Sequence, residues 1–437
     1  MKKVTTRAYA TLVIAACVVL GLAFYLVKLV RDGGEWASFY ANDSVYDDGT
    51  LNEGKIVDRS GTVLASAGDG TYSYADDSDV RTACLHVVGD ISGNIGTGAL
   101  SAFRTRLIDY SFLTGTTGSG GTVKLTIDSA LNVTAYKALA GRKGAVLVYN
   151  YETGEILCMV SSPSYDPNVG FDESDSSYEG AYINRTISAT FVPGSIFKII
   201  TVAAAAETRS DLWGDSFTCS GSVDIGGDTI TCSGRHGTQT IEEAFANSCN
   251  CAFAEIADEV GGDVIASYAQ KYGLTESHSL NGIETAAGSI VSGGTSDADT
   301  AWEGIGQYQD MVCPYSMLRL VGAIANGGTL VEPTLLYGES DGTTQLMEAS
   351  TAETLADMMS YNTEYEYGAS KFPGLDICAK TGTAQLDDGT DHAWFAGFIT
   401  NEDYPLAFVV LVENGGGGLA QAAPIANTVL QQAVFGS

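Results

Sequence analysis

Histidine is scarce in this chain, four among 437 residues, and basic side chains are heavily outnumbered, 22 lysines and arginines against 53 aspartates and glutamates. The four histidines are scattered, so any serine chemistry must work without an imidazole base, and no spaced pair of ligands suggests a metal site. The formal charge of −31 argues against nucleic acid, whose recognition needs basic patches that release counterions from phosphates. The acidity reads instead as a solvated, self-repelling surface. Charged residues make up only 17% of the chain and hydrophobic ones 45%, which excludes a disordered polymer. Repeats and low-complexity segments are lacking too. The glycine run 415–418 has no strand-loop-helix context for a phosphate, so no nucleotide or other cofactor is expected.

What is present begins at the N-terminus. Lys2, Lys3 and Arg7 precede an uncharged run from Ala8 to Val27, and about 20 apolar residues suffice to cross a hydrocarbon core. The expected order is a cytoplasmic tail (1–7), a transmembrane helix (8–30) and exported residues beyond, because the basic head stays inside. Ile14-Ala15-Ala16-Cys17 is a weaker candidate for lipoprotein processing, since apolar residues continue past Cys17. In an exported chain, nine cysteines raise the question of disulfides. Cys219 and Cys232 flank a Gly-, Ser- and Asp-rich segment that reads as a surface hairpin, and they form the candidate bridge. Cys249-Asn250-Cys251 alone is too little for zinc, and no metal is expected.

Two exported regions follow. From 31 to 142 the chain is turn-rich, with a hairpin around Lys55–Leu64, and reads as a small β-rich pedestal. From 143 to 437, apolar β-branched runs at Gly144–Asn150 and Glu155–Val160, joined by a turn, precede buried helices. Capping boxes are expected at Thr240/Glu243 and Ser350/Glu353. Strands are expected at Leu375–Gly382, Ala393–Thr400 and Leu406–Val412, and a closing helix at Gly418–Val434. Strands first and last with helices between give an α+β fold, a mainly antiparallel sheet flanked by helices.

Three short motifs carry the chemistry: Ser195-Ile196-Phe197-Lys198, Ser248-Cys249-Asn250 and Lys380-Thr381-Gly382-Thr383. The first puts a hydroxyl and an amine on one helix face. A serine is a poor nucleophile without an adjacent base, and a lysine can serve if its surroundings depress its amine well below the ordinary value. Each motif alone is weak; the three in order form a strong signal. His392 and Trp394 read as packing residues, and Asn184 and Arg185 as ties for a loop near the site.

These residues resemble the transpeptidase domain of class B penicillin-binding proteins, in the superfamily shared with serine β-lactamases. Further likeness lies in Asp58-Arg59-Ser60-Gly61, Leu125-Thr126-Ile127-Asp128, Thr153-Gly154-Glu155-Ile156, Pro163-Ser164-Tyr165-Asp166, Ala325-Asn326-Gly327-Gly328 and His392-Ala393-Trp394-Phe395. Ile196 departs from the usual threonine, and Gly306-Gln307-Tyr308 from a more glycine-rich form. The pedestal is short for the class, and no appended repeat domain is expected.

The resemblance implies Ser195 as nucleophile, Lys198 as its base, Ser248 as proton relay and Asn250 as positioning amide. It makes Lys380, Thr381, Gly382 and Thr383 the binding edge for a substrate carboxylate. The implied substrates are peptidoglycan stem peptides ending in D-Ala-D-Ala, with β-lactams as acylating mimics, and the implied partner is a multi-span glycan polymerase. The same trio serves D,D-carboxypeptidases and β-lactamases. No counterpart of the water-activating glutamate of class A β-lactamases is evident. A non-catalytic sensor or scaffold is the alternative of another kind, and the intact Ser195, Lys198 and Lys380 argue against it.

Overall fold

In the computed structural model, described for residues 2–39, 46–47, 50–51, 54–68, 71–116, 120–290, 296–307, 309–401 and 403–436, the chain centres on a five-stranded sheet. Its strands are β1 (Gly144–Asn150), β2 (Ile156–Ser162), β3 (Ile377–Gln385), β4 (Asp391–Ile399) and β5 (Leu406–Val412), in the spatial order β2-β1-β5-β4-β3. Every neighbouring pair is antiparallel, as expected. β1, β2 and β5 are buried almost throughout without alternation because both faces are covered, whereas the second half of β3 alternates buried and exposed residues. Ala145, Leu147 and Tyr149 face one core with Trp394, Ala396 and Val409, whereas Val146 and Val148 face a second with Phe395, Phe408 and Val410. The buried helix Pro314–Ala325 packs on β4 and β5 from the first side, and the C-terminal helix Gly418–Phe435 covers the second.

The β1–β2 turn is set by Asn150, whose Oδ1 accepts the backbone N–H groups of Glu152 and Thr153, both at 2.9 Å. The Thr240/Glu243 capping box forms with both of its hydrogen bonds. That at Ser350/Glu353 does not. The helix Ala349–Tyr361 starts one residue before Ser350, with Glu348 in the N-cap position and no side-chain cap, so Ser350 lies inside the first turn.

The pedestal is less purely β than its turn-rich sequence implies. It has a four-stranded sheet, with Gly54–Val57 pairing antiparallel to Val63–Gly68 and parallel to Thr122–Lys124, but also an 11-residue helix, Ser78–Val88. Asp77 caps that helix by accepting the N–H of Asp79 at 2.8 Å, and its buried run Ala83–Val88 packs on the helix Ser129–Leu139. Arg81 fixes it to the larger domain through a two-pronged pair with Asp166, at 2.8 and 2.6 Å. Asp58 ties segments within residues 31–142 together, accepting the backbone N–H groups of Ser60 and Thr62 and the hydroxyl of Ser129 at 2.6 Å. Before the pedestal, one exposed helix, Lys2–Ala37, is long and apolar enough to cross a membrane and runs past the expected end at residue 30.

Candidate active site

Ser195 and Lys198 meet through a change of helix type. Residues Gly194–Phe197 form a 3-10 turn that runs into the α-helix Lys198–Thr208. With three residues per turn, positions i and i+3 eclipse, and Lys198 Nζ comes to 3.2 Å from Ser195 Oγ. Gly194 permits this turn. Its φ is +55°, and a Cβ there would lie 2.6 Å from the carbonyl oxygen of Thr383 on β3. Gly306 has the same function one layer back, since its Cβ would lie 2.2 Å from Gly194 O.

The second motif is a tight link between two helices, Ile241–Ala246 and Asn250–Val260. Ser248 adopts φ +50°, an uncommon conformation for a residue with a side chain, and thereby presents both its hydroxyl and its carbonyl to the cleft. Lys198 Nζ donates to Ser248 O at 2.7 Å and to Asn250 Oδ1 at 2.8 Å, and lies 3.4 Å from Ser248 Oγ. Asn250 is held in turn by donating to Thr231 O at 3.0 Å.

The third motif lies within the edge strand β3, not at its end, because pairing with β4 continues to Gln385. Lys380 points inward, and its Nζ donates to Ser248 Oγ at 2.9 Å. Ser248 Oγ therefore stands between the two amines. Thr381 is fixed by Tyr367, whose hydroxyl accepts the Thr381 N–H at 3.0 Å. Gly382 is buried between the Pro193 carbonyl and Trp394, whereas Thr383 is exposed on the cleft edge.

Both lysines are fully buried. Burial disfavours a charged amine, and it pulls Lys198 down from 10.5 to about 7; the nearby cysteine sulfurs oppose it. Lys380 falls well below its ordinary value, first through burial and then through the positive charge of Lys198. The cleft is a cavity of about 300 Å³ lined by Ser195, Ser248, Asn250, Thr381 and Thr383. Every residue expected at the site converges there. Trp302, Ile305 and Gln307 also line it, along with Thr231, Cys232 and Ser233. Of these, only Gln307 had a signal in the sequence, as part of a departing motif whose Tyr308 lies outside the described residues. Tyr367 had none, because only the fold brings residues 362–367 beside β3.

Glu303 follows Trp302 in the chain but does not line the cleft. Burial, reinforced by Asp310, pushes its carboxyl up to about 8. Arg185 pairs with Glu413, Asn184 Oδ1 accepts the N–H of Thr186, and Trp394 Nε1 donates to Val192 O at 2.9 Å, all in tying or packing roles.

The candidate Cys219–Cys232 bridge, which the sequence leaves open, does not form: both thiols are free. The hairpin between them does form, as Ser222–Ile225 against Asp228–Thr231. It carries Cys232 to Cys249, with the two sulfurs 3.8 Å apart. Three of the cysteines, Cys219, Cys232 and Cys249, come together with His236. Residues distant in sequence converge because two hairpins and a helix start fold onto one another.

A cleft serine beside a buried lysine, a hydroxyl shared between two amines and a polar edge strand define an acyl-transferring serine enzyme. Comparison with known proteins agrees. Residues 144–431 match the model of the penicillin-binding protein transpeptidase domain, and the chain belongs to that family. The peptidoglycan D,D-transpeptidase PbpA of Mycobacterium tuberculosis is 32% identical over 381 residues, 76% of each chain. The crystal structure of that organism's PBPA superposes with a TM-score of 0.75 at 27% identity, covering 88% of this chain and 99% of the other. A second structure, of its ceftriaxone acyl-enzyme, gives 0.72 at 27% identity over 90% and 99%. The protein is a class B peptidoglycan D,D-transpeptidase.

Proposed function

We propose that Ser195 attacks the carbonyl of the penultimate D-alanine of a stem peptide ending in D-Ala-D-Ala, that Lys198 takes its proton, and that D-alanine leaves as the acyl-serine forms. The observation that carries this reading is the 3.2 Å approach of the fully buried Lys198 Nζ to Ser195 Oγ on the cleft wall, where the amine's other partners are neutral oxygens. Ser248 relays a proton to the leaving amine, and Asn250 positions both Lys198 and the substrate. The backbone N–H groups of Ser195 and Thr383 hold the oxyanion, each such donor contributing roughly 3–4 kcal/mol in related chemistry.

The substrate's terminal carboxylate binds Lys380, Thr381 and Thr383. Burial and the neighbouring Lys198 disfavour the charged form of Lys380, and a bound carboxylate beside it favours that form. An amine from a neighbouring stem then takes the acyl group, giving a 4-3 cross-link. A β-lactam enters as a mimic of the same substrate and acylates Ser195.

The proposed division is a cytoplasmic tail at 1–7, a span at 8–30, a pedestal at 31–142 and a catalytic domain at 143–437 on the outer side. The span and pedestal dock a multi-span glycan polymerase. The test supplies detergent-solubilised full-length protein with a D-Ala-D-Ala stem pentapeptide and an amine acceptor. Release of D-alanine with cross-linked product supports transfer to amine. Hydrolysed tetrapeptide as the main product would assign the chain to the carboxypeptidases instead.

A further inference from the structure

Beside the catalytic cleft, four potential metal ligands come together that the reaction does not use. The Sγ atoms of Cys219, Cys232 and Cys249 and a ring nitrogen of His236 all lie within 4.8 Å of one another. Two of their separations are defined individually: Cys232 Sγ to Cys249 Sγ is 3.8 Å, and Cys232 Sγ to His236 Nδ1 is 3.6 Å. A tetrahedral zinc bound at about 2.3 Å by sulfur and about 2.0–2.1 Å by imidazole nitrogen requires edges of about 3.8 Å between sulfurs and about 3.6 Å from sulfur to nitrogen. We propose that Cys219, Cys232, His236 and Cys249 bind one zinc ion, as a closed structural site in the wall of the cleft.

The surroundings suit thiolates. Cys249 is the N-cap of the helix Asn250–Val260, and the first-turn N–H groups of that helix point at the sulfurs. Asn250 N–H donates to Cys232 Sγ at 3.3 Å, and Ala252 N–H to Cys249 Sγ at 3.5 Å. Such donors, at the positive end of a helix, offset the negative charge of a ligand set with three sulfurs. Three sulfurs and one imidazole select a soft, tetrahedral ion, and four protein ligands leave no open position for catalysis. A disulfide would use only two of the four groups and would give His236 no part.

The ligands come from four places: the end of the strand Phe217–Cys219, the residue after the Asp228–Thr231 hairpin strand, the turn before Gly237–Gln239, and the helix start. The ion would therefore clamp both hairpins to the second motif. One bond links it to the chemistry, because Asn250, which donates its backbone N–H to Cys232, also accepts from Lys198 Nζ through its side chain. These are positioning residues for the catalytic base.

Metal content tests this without reference to activity, so its failure is separable from that of the transpeptidase reading. Full-length protein, purified in detergent under reducing conditions without chelator, is expected to carry about one zinc per chain by elemental mass spectrometry. Cys232→Ser and His236→Ala are expected to lose the ion, and His236→Cys, which restores a fourth ligand, to keep it. Protein stripped by a chelator should show a lower thermal midpoint that recovers with zinc, and should take up cobalt with a thiolate-to-cobalt charge-transfer band. Wild-type protein that neither carries nor rebinds zinc overturns the proposal, as does iron in its place. So does a Cys232–Cys249 disulfide found by mass mapping of protein isolated anaerobically with its thiols blocked.

Discussion

Lys198 sets the pH behaviour of the site. As the proposed base its amine must be neutral to accept the Ser195 proton, and burial lowers it to about 7, so acylation by a fluorescent penicillin should rise with pH through that value and level off above it. Lys198→Arg, which cannot lose its proton, should abolish labelling at every pH. The same burial has a cost in stability. Unfolded Lys198 binds a proton up to about 10.4, while the folded amine loses it near 7, so the folded state binds fewer protons across that window. This contribution therefore makes the protein more stable as pH rises from 7 to 10. Replacing the buried amine by an apolar chain of similar length, Lys198→Met, should raise the thermal midpoint while eliminating acylation. Gly194→Ala should instead lower stability, by about 1–3 kcal/mol, because a Cβ meets the Thr383 carbonyl at φ +55°. Denaturant unfolding measures it. At this scale the sequence was legible in that the structure brings Ser195, Lys198, Ser248, Asn250 and Lys380, from three motifs far apart in the chain, into hydrogen-bond contact. It could not reveal Tyr367 or the thiol cluster, because both depend on chain segments that only folding brings together.

Among the elements, the helix Ile241–Ala246 and the link after it are the sensitive ones. The Thr240/Glu243 box fixes the start of this helix, and Ser248 follows two residues beyond its end in a strained conformation. Thr240→Ala should cost about 1 kcal/mol in denaturant unfolding. Ser350→Ala, at the other expected box, should change stability by less than about 0.5 kcal/mol, since no cap hydrogen bond forms there. The two positions look alike in sequence. The difference is that Glu348 occupies the second N-cap, and side-chain pattern alone does not fix where a helix begins. The strands of the central sheet were legible for the opposite reason: long apolar runs, buried on both faces, leave few alternatives. The helix Ser78–Val88 was obscured by its short length among turn residues, and it forms because it packs on Ser129–Leu139 and is tied by Arg81 to Asp166.

For the whole molecule, Arg81 ties the proposed pedestal to the proposed catalytic domain through its two-pronged pair with Asp166. Asp58 closes a bond within residues 31–142, to Ser129, whereas Arg81 reaches beyond them, to Asp166. Arg81→Ala should lower the thermal midpoint of the full chain and make the pedestal more susceptible to limited proteolysis, without changing the first-order form of penicillin acylation. The exposed N-terminal helix gives the chain a membrane-length apolar surface, so the protein should fractionate with membranes, resist extraction by high salt and dissolve in detergent.

The central claim is that one serine, Ser195, carries the acyl group. Peptide mapping by mass spectrometry of full-length protein labelled with penicillin tests it most directly. The adduct should lie on the peptide containing Ser195 and be lost in Ser195→Ala; an adduct on another residue, or full labelling of that variant, would contradict the account.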